Sequence, residues 1–335
     1  MIRMVGARVF AGIVLILALT FMTYAIWSTV PVDPAAYIVE DADPVQRAAI
    51  RKALGFDQPL YAQWSGYVWR LGTSADLGKT FVGQEPVRPI LIDALGPTLS
   101  LVIGGFALML LLALPLGTVC ARRAGSRLDR TILTVTVLGL VLHPFIIGML
   151  LREVFSGRLG IAPPGSYCPI RGEAELYTGS FEPSVCGGFL DWAQHLWLPW
   201  MTFALFFLPL YVRFVRAGVL DELGSLYVAT ARAKGVSERR IVTGHVAQNA
   251  LSPIVAMLAV DVAAIVTTAI YVETVFGLPG IGRLVAANLG GGNAYDLNLI
   301  LGVVVLVAIA VMLLNLFADV AQRALDPRVR LGRSE

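Results

Sequence analysis

Six long apolar segments constrain this chain more than any other feature of its sequence. They cover about residues 9–30, 98–120, 131–151, 196–216, 250–272 and 297–320. A helix needs about 20 apolar residues to cross roughly 30 Å of hydrocarbon. Only 15% of the 335 residues are charged, whereas soluble domains carry about 25%. The sequence therefore predicts an all-α membrane protein with six transmembrane helices.

The distribution of basic residues predicts the orientation of these helices. The face with both termini would carry 16 Lys and Arg residues, and the opposite face would carry 10. Because cytoplasmic loops are enriched in Lys and Arg, both termini are predicted to be cytoplasmic. The first segment is interpreted as an uncleaved span and not as a signal peptide, because it exceeds the length of a signal h-region and no A-x-A site follows.

A polar, basic stretch at residues 225–253 lies between two apolar segments and reads SLYVATARAKGVSERRIVTGHVAQNALSP. Its alanines favour a short helix that ends near Gly235, and Ser237 is suited to cap a second helix. We predict a cytoplasmic helix–glycine–helix elbow. A DNA-binding helix-turn-helix has a similar pattern, but the adjoining spans would hold any duplex against the bilayer. An ordinary solvated loop is the other alternative, although small residues at 229–235 would let a partner approach closely.

Asp261 is the only acid well inside an apolar segment, the fifth, and His143 lies near the middle of the third. Intramembrane ionisable groups suggest a functional role, so Asp261 is the first candidate for a pathway residue and His143 the second. The alternative for each is a structural hydrogen bond, in the case of His143 to backbone freed by Pro144.

Cys168 and Cys186 lie in the same predicted external loop. This location is oxidising in a bacterial envelope, so we predict a disulfide between them, with two free thiols as the alternative.

The sequence contains no convincing catalytic motif. Residues 72–80, GTSADLGKT, resemble a phosphate-binding loop, but five residues instead of four separate Gly72 from Gly78. No zinc-protease, serine-hydrolase or CxxC pattern occurs, and the three histidines are far apart. We therefore predict that the chain is not an enzyme by itself and holds no metal or cofactor of its own.

Several strings, in order along nearly the whole chain, resemble one family. They are LGFDQPLYAQW, ADLGKTF, PTLSL, LPLGTVCARRAGSRLDR, YVATARAKGVSERRIVTGHVAQNALSPIV, ETVFGLPGIGRLV and NLFADVAQRALDPRVR. Together they resemble the binding-protein-dependent ABC importer permeases, and more closely the dipeptide/oligopeptide and nickel subfamily. The resemblance implies a type I importer permease fold. It divides the chain into a cytoplasmic N-terminus with the first span (1–30), an external lid (31–97), a five-helix core (98–320) with a coupling helix at 225–249, and a cytoplasmic tail (321–335).

The resemblance also implies partners in the bacterial inner membrane. The chain would pair with a homologous second permease, sit on two ATPase subunits that bind ATP and Mg, and receive substrate from an extracytoplasmic binding protein; no nucleic acid is involved. The tip of the coupling helix would comprise Thr230, Ala231, Lys234, Gly235 and Val236. The family signature has Glu where this chain has Ala229, so any salt link made by that Glu is absent or replaced.

The function implied is that of a transmembrane permease subunit of an ATP-driven importer of di- or oligopeptides. Nickel or another small solute is the alternative within the family. Outside it, the alternatives are an ion-coupled secondary transporter that uses Asp261 and His143, and a membrane scaffold that transports nothing. Secondary transporters often show internal repeats and paired broken helices, and neither is evident in this sequence.

Overall fold

The computed structural model describes residues 2–29, 43–53, 55–81, 83–171, 174–177, 183–241, 244, 246, 257, 261–289 and 296–325. Most of them are helical. The helices are α1 (Ile2–Thr29), α2 (Pro44–Ala53), α3 (Leu60–Ser74), α4 (Val87–Arg122), α5 (Arg127–Val141), α6 (Pro144–Leu151), α7 (Phe189–Leu223), α8 (Leu226–Ala233), α9 (Glu238–Ile241), α10 (Val262–Phe276), α11 (Ile281–Leu289) and α12 (Leu297–Leu325). A π-helix, Arg152–Arg158, continues from α6.

Four helices in the described part of the chain are long and apolar enough to cross a membrane. They contain Val5–Thr29, Val87–Arg122, Phe189–Leu223 and Leu297–Phe317. A fifth span results if Ala264–Phe276 and Ile281–Leu289 are counted together as one broken span. The all-α membrane fold is confirmed, whereas the count of six spans stays a prediction, since most of residues 247–260 lie outside the described residues.

The predicted third span is two helices instead of one. α5 ends at Val141, and α6 begins at Pro144 after His143, whose backbone is extended. The residue before a proline is disfavoured in the helical conformation, and proline is well tolerated at the first position of a new helix. The His143-Pro144 dipeptide therefore interrupts this span.

One compact unit comprises residues 1–96 and 280–316. In it, α3 packs along α1: the indole nitrogen of Trp64 donates a hydrogen bond to the Thr20 hydroxyl at 3.1 Å. The rings of Tyr24 and Tyr67 lie 6.0 Å apart, and both belong to a buried cluster with Phe81. The segment predicted as a lid thus has a core of its own, formed with α1 and the start of α12.

The second compact unit comprises residues 97–279 and 317–335. Its core lies between α4 and α7. There the centroid of the Phe106 ring lies 5.3 Å from that of Phe203 and 5.8 Å from that of Phe207. Glycines on α4 permit this approach, because a Cβ at Gly105 would lie 2.7 Å from the Phe203 ring and one at Gly117 would lie 2.6 Å from Val215. Small residues commonly allow helices to pack closely in membranes.

A two-stranded hairpin, which the sequence analysis did not predict, lies in the loop before α7. Its antiparallel strands are β1 (Ala174–Tyr177) and β2 (Pro183–Cys186), with Ala174 paired to Cys186. A short hairpin is marginal alone, and here a disulfide joins Cys186 to Cys168.

Candidate functional site: an exposed elbow and a held helix end

The predicted elbow begins with a helix whose end requires glycine. α8 ends at Ala233, and Gly235 follows with φ of 76°. That left-handed conformation costs residues with a Cβ about 1–2 kcal/mol. The amides of Lys234, Gly235 and Val236 donate to carbonyls of the last turn at 2.9 to 3.1 Å, and so satisfy the helix end.

The five residues predicted for the coupling tip divide into two groups. Thr230, Lys234 and Gly235 are exposed, whereas Ala231 and Val236 are half-buried and pack on the core. Val228 on the inner face of α8 is fully buried. The exposed part of the predicted tip therefore consists of Thr230, Lys234 and Gly235, next to Leu226, which is 87% exposed. A large exposed aliphatic side chain beside small ones is well suited to contact another protein.

An exposed ion pair connects the two helices of the elbow. The guanidinium of Arg232 donates to the carboxylate of Glu238 at 2.6 Å, and this hydrogen bond lowers the pKa of Glu238. Ser237 precedes α9, and its carbonyl accepts from the Ile241 amide at 3.0 Å. In the later part of the predicted coupling helix only residues 244 and 246 are described, and His245 is not, so the elbow is defined here up to Ile241.

A largely buried ion pair, which the sequence analysis did not predict, joins α5 to α7. Arg216 of α7 donates two hydrogen bonds to Asp129, each 2.9 Å long. Asp129 is 2% exposed and also accepts from the Gly125 amide at 2.9 Å. The hydrogen bond from Arg216 is the largest influence and holds the pKa of Asp129 below its ordinary value. The sequence offered one indication of this pair, since Asp129 is the only acid in a loop, residues 121–130, that contains four arginines.

Asp261, the first pathway candidate, lies at the start of α10. Its carboxylate accepts a hydrogen bond from the hydroxyl of Tyr211 on α7 at 2.9 Å. Tyr211 is fully buried, and Asp261 is partly buried. This hydrogen bond fits the structural alternative for Asp261. It also places two polar side chains between α7 and α10, as a pathway would require. The pathway role therefore stays a prediction.

His143, the second candidate, lies at the break between α5 and α6. Its Nδ1 accepts from the Phe145 amide at 3.3 Å, which caps α6. Its exposed ring meets Tyr271 of α10 edge to face, with centroids 4.3 Å apart. His143 and Asp261 therefore have different neighbours. His143 contacts Tyr271 of α10, and Asp261 directly precedes the first residue of the same helix.

Glu273 is a buried acid one residue beyond the predicted end of the fifth span. It lies in α10, is 0% exposed, and accepts a hydrogen bond from the Thr98 hydroxyl at 2.6 Å. Its carbonyl also accepts from the Leu278 amide at 2.9 Å. The sequence analysis ended the fifth span near residue 272, but the helix continues to Phe276. Because the predicted boundary fell one residue before Glu273, this acid was not recognised as part of the helix.

The π-helix and the loop before α7 together hold the C-terminal end of α10. The Arg152 guanidinium donates to the Val275 carbonyl at 2.8 Å, and the Ser166 amide donates to the Phe276 carbonyl at 2.8 Å. A side chain at Gly165 would collide with that Phe276 carbonyl. The structure joins the predicted pair Cys168 and Cys186 in a disulfide two residues beyond Ser166, with Cα atoms 5.9 Å apart, within the usual range.

Among the described residues, no group of three or more His, Cys, Asp or Glu side chains is placed to hold a metal ion.

Comparison with known proteins identifies the class. Residues 113–331 match the family described as the binding-protein-dependent transport system inner membrane component, and residues 1–102 match the N-terminal region of such components. The chain belongs to this family. A solved structure of the inward-facing MetNI methionine ABC transporter aligns with a TM-score of 0.52 at 18% identity, over 71% of this chain and 97% of that one. This similarity shows the shared permease fold.

Curated relatives align over almost their full length. A putative peptide permease protein of Brucella suis biovar 1 (strain 1330) is 30% identical over 99% of this chain and 100% of its own. The di/tripeptide transport system permease protein DppB of Pseudomonas aeruginosa (strain UCBPP-PA14) is 30% identical over 94% of each chain. The dipeptide transport system permease protein DppB of Escherichia coli (strain K12) is 28% identical over 94% of each.

Proposed function

We propose that this chain is a transmembrane permease subunit of an ATP-driven importer of di- and oligopeptides and forms half of the translocation pathway. The observation that carries the proposal is the exposed face of α8, presented by a chain whose curated relatives are named as peptide permeases. The chain contributes no catalytic group. A second, homologous permease completes the pathway, and an extracytoplasmic binding protein delivers the peptide.

Two ATPase subunits bind ATP and Mg and dock on the elbow. Thr230, Lys234 and Gly235 supply the exposed contact surface, and Ala231 and Val236 anchor the tip to the core. ATP must bind the closed ATPase pair better than the open one, and the elbow must transmit that preference to the spans. Because α8 follows α7 after only Gly224 and Ser225, a displacement of α8 would act directly on α7.

Both termini and the elbow face the cytoplasm in this proposal, as the basic residues predict. Asp261 with Tyr211, and His143 with Tyr271, are the proposed polar positions along the pathway. Tyr211 lies on α7, which directly precedes the elbow, and its hydrogen bond to Asp261 gives a route from ATP binding to the pathway.

Reconstitution in proteoliposomes tests the function. The chain, its partner permease, both ATPases and the binding protein should take up a labelled dipeptide only when ATP is present. A dissipated proton gradient should leave this uptake unchanged. Uptake that needs the proton gradient and not ATP would instead establish a secondary transporter, and ATP-driven uptake of nickel without peptide uptake would overturn the peptide assignment.

A further inference from the structure

A polar cleft lies within the unit formed by residues 1–96 and 280–316. It has a volume of about 690 Å³, within the range of small-molecule sites, about 300–1,000 Å³. Its walls come from α1, α2, residues 55–58, α3, residues 76–81 and 84, and the start of α12. Residues 78–80 are the GKT sequence that resembles a phosphate-binding loop without its spacing.

Positive charge dominates the cleft. Lys52, Arg70 and Lys79 line it together with one acid, Asp76. In the described part of the chain, none of the three cations has an ion-pair partner. Unpaired cations around a concave surface attract an anionic ligand and raise its local concentration.

The acid of the cleft is held in a defined position. Asp76 accepts a hydrogen bond from the Gly78 amide at 2.9 Å through Oδ1, which leaves Oδ2 as an acceptor. Gly78 has φ of 85°, and a Cβ there would lie 3.0 Å from the amide group of Asn298. Asn298 in turn donates to the Lys79 carbonyl at 2.7 Å. This network places an anionic acceptor next to the cations.

The remaining lining suits a peptide group and apolar side chains. Gln58, Gln63, Gln84 and Asn298 contribute amides, and Tyr24, Phe56, Phe81 and Leu297 contribute apolar surface. The amide nitrogens of Gln63, Gln84 and Asn298 already donate to backbone carbonyls, and their amide oxygens are acceptors for a peptide N–H. The cleft thus combines convergent polar groups with apolar surface, as sites for small ligands do.

A second observation concerns Tyr67, which lies beside the cleft and is not part of its lining. Tyr67 is 0% exposed, and its hydroxyl has no hydrogen-bond partner among the described residues. Its ring lies 6.0 Å from that of Tyr24, which lines the cleft. Burial is the largest cause that raises the pKa of Tyr67, and Arg70 and Asp76 of the cleft also influence it. Buried hydroxyls without partners are uncommon and call for a ligand or water.

From these features we infer that the cleft is a second binding site for short zwitterionic peptides, on the permease itself. The cations Lys52, Arg70 and Lys79 bind the carboxylate end, Asp76 binds the ammonium end, and the amides bind the peptide unit between them. The inference rests on the proposed function as a peptide importer. It adds a binding site that a peptide would occupy before it enters the membrane pathway. The three cations and one acid match the two ends of a peptide better than they match a simple anion.

Binding of trialanine to the purified full chain in zwitterionic lipid nanodiscs tests this site, with isothermal titration calorimetry as the measurement. Amidation of the peptide C-terminus should weaken binding about tenfold, since a charge-assisted hydrogen bond contributes that much. The Arg70→Ala and Lys79→Ala variants should each bind trialanine about tenfold more weakly than the wild type does. Their affinity for trialanine amide should be unchanged. Acetylation of the N-terminus should weaken binding to the wild type but not to Asp76→Asn.

Matched variants keep the test specific. Arg51→Ala removes a cation from the same helix as Lys52 but outside the cleft, and should bind trialanine as the wild type does. Arg70→Lys keeps the charge and should retain most of the affinity, which separates charge from folding. Equal affinity for trialanine and its amide, or no binding by the wild type, would overturn the inference.

An anionic lipid headgroup is the competing source of negative charge. If phosphatidylglycerol in the nanodisc displaces trialanine and loses this ability in Arg70→Ala, the cleft is a lipid site and the inference is wrong. ATP-driven dipeptide uptake by the wild-type importer is measured in parallel. Its absence overturns the proposed function, whereas normal uptake with no binding in the cleft overturns only this inference.

Discussion

Gly235 is the residue on which the elbow most depends. Its φ of 76° is strained for any residue with a Cβ, although no atom of the described chain would obstruct one. Gly235→Leu should therefore alter the turn after α8 and the surface that meets the ATPase. We expect ATP-driven uptake to fall at least about tenfold, the effect of roughly 1.4 kcal/mol of lost coupling, while the ATPase still hydrolyses ATP.

Gly235→Asn is the matched control, because asparagine tolerates the left-handed conformation better than other residues. Most of the uptake should return in this variant. Normal peptide-stimulated hydrolysis and uptake in Gly235→Leu would contradict a coupling role.

The Asp129–Arg216 pair predicts a pH-dependent stability. Its lowered pKa means that Asp129 stabilises the fold fully above the ordinary carboxylate pKa, near 4. This contribution is lost as the pH falls through the lower pKa of the folded state. We expect Asp129→Asn to lower the free energy of unfolding by about 2 kcal/mol at neutral pH, between the values for exposed and buried pairs.

Thermal melting in detergent from pH 7 to pH 3 measures this effect. The difference between the wild type and Asp129→Asn should shrink toward the acid end. Glu153→Gln, in an exposed pair with Arg158 at 3.3 Å, is the control and should change stability little. A difference that stays constant with pH would show that Asp129 acts without its charge.

At the scale of elements, the end of α10 is held by the π-helix and the loop before α7. Arg152→Ala removes the donor to the Val275 carbonyl, so hydrogen exchange at the Gly277 and Leu278 amides should accelerate. Mass spectrometry measures this exchange. Arg158→Ala, in the same π-helix but 74% exposed at its side chain, should leave it unchanged; equal acceleration in both variants would contradict the role of Arg152.

The disulfide supports the same loop from its far side. It closes a loop with a sequence separation of 18, for which chain entropy gives about 3 kcal/mol. This element-scale link lies two residues from Ser166, so it restrains the part of the loop whose amide donates to α10.

At the scale of the whole molecule, the proposed orientation is testable with single cysteines. Ala233→Cys in α8 and Ser65→Cys in α3 both create exposed thiols. Background labelling should be low, because Cys120 is fully buried and Cys168 is bonded to Cys186. In intact cells, an impermeant maleimide should label position 65 and not position 233. Labelling of position 233 and not of position 65 would show that the chain has the opposite orientation.

Local pattern was sufficient for much of this protein. The length of the apolar segments predicted the α-helical membrane fold, because hydrocarbon forces backbone groups to bond within a helix. Gly235 and the alanines around it predicted the end of α8, since that end depends on residues within one turn. The family resemblance was likewise readable from consecutive residues, and the full-length relatives confirm it.

Tertiary structure decided the contacts between distant residues. Arg216 and Asp129 are 87 positions apart, and Thr98 and Glu273 are 175 apart, so no local spacing indicates either pair. The cleft likewise combines Arg70 and Asn298 from opposite ends of the chain. The sequence determined which segments enter the membrane, because burial in lipid depends on each segment's own composition. Only packing determined which polar groups meet, because a buried charge or hydroxyl is stable only with the partner that the fold brings to it.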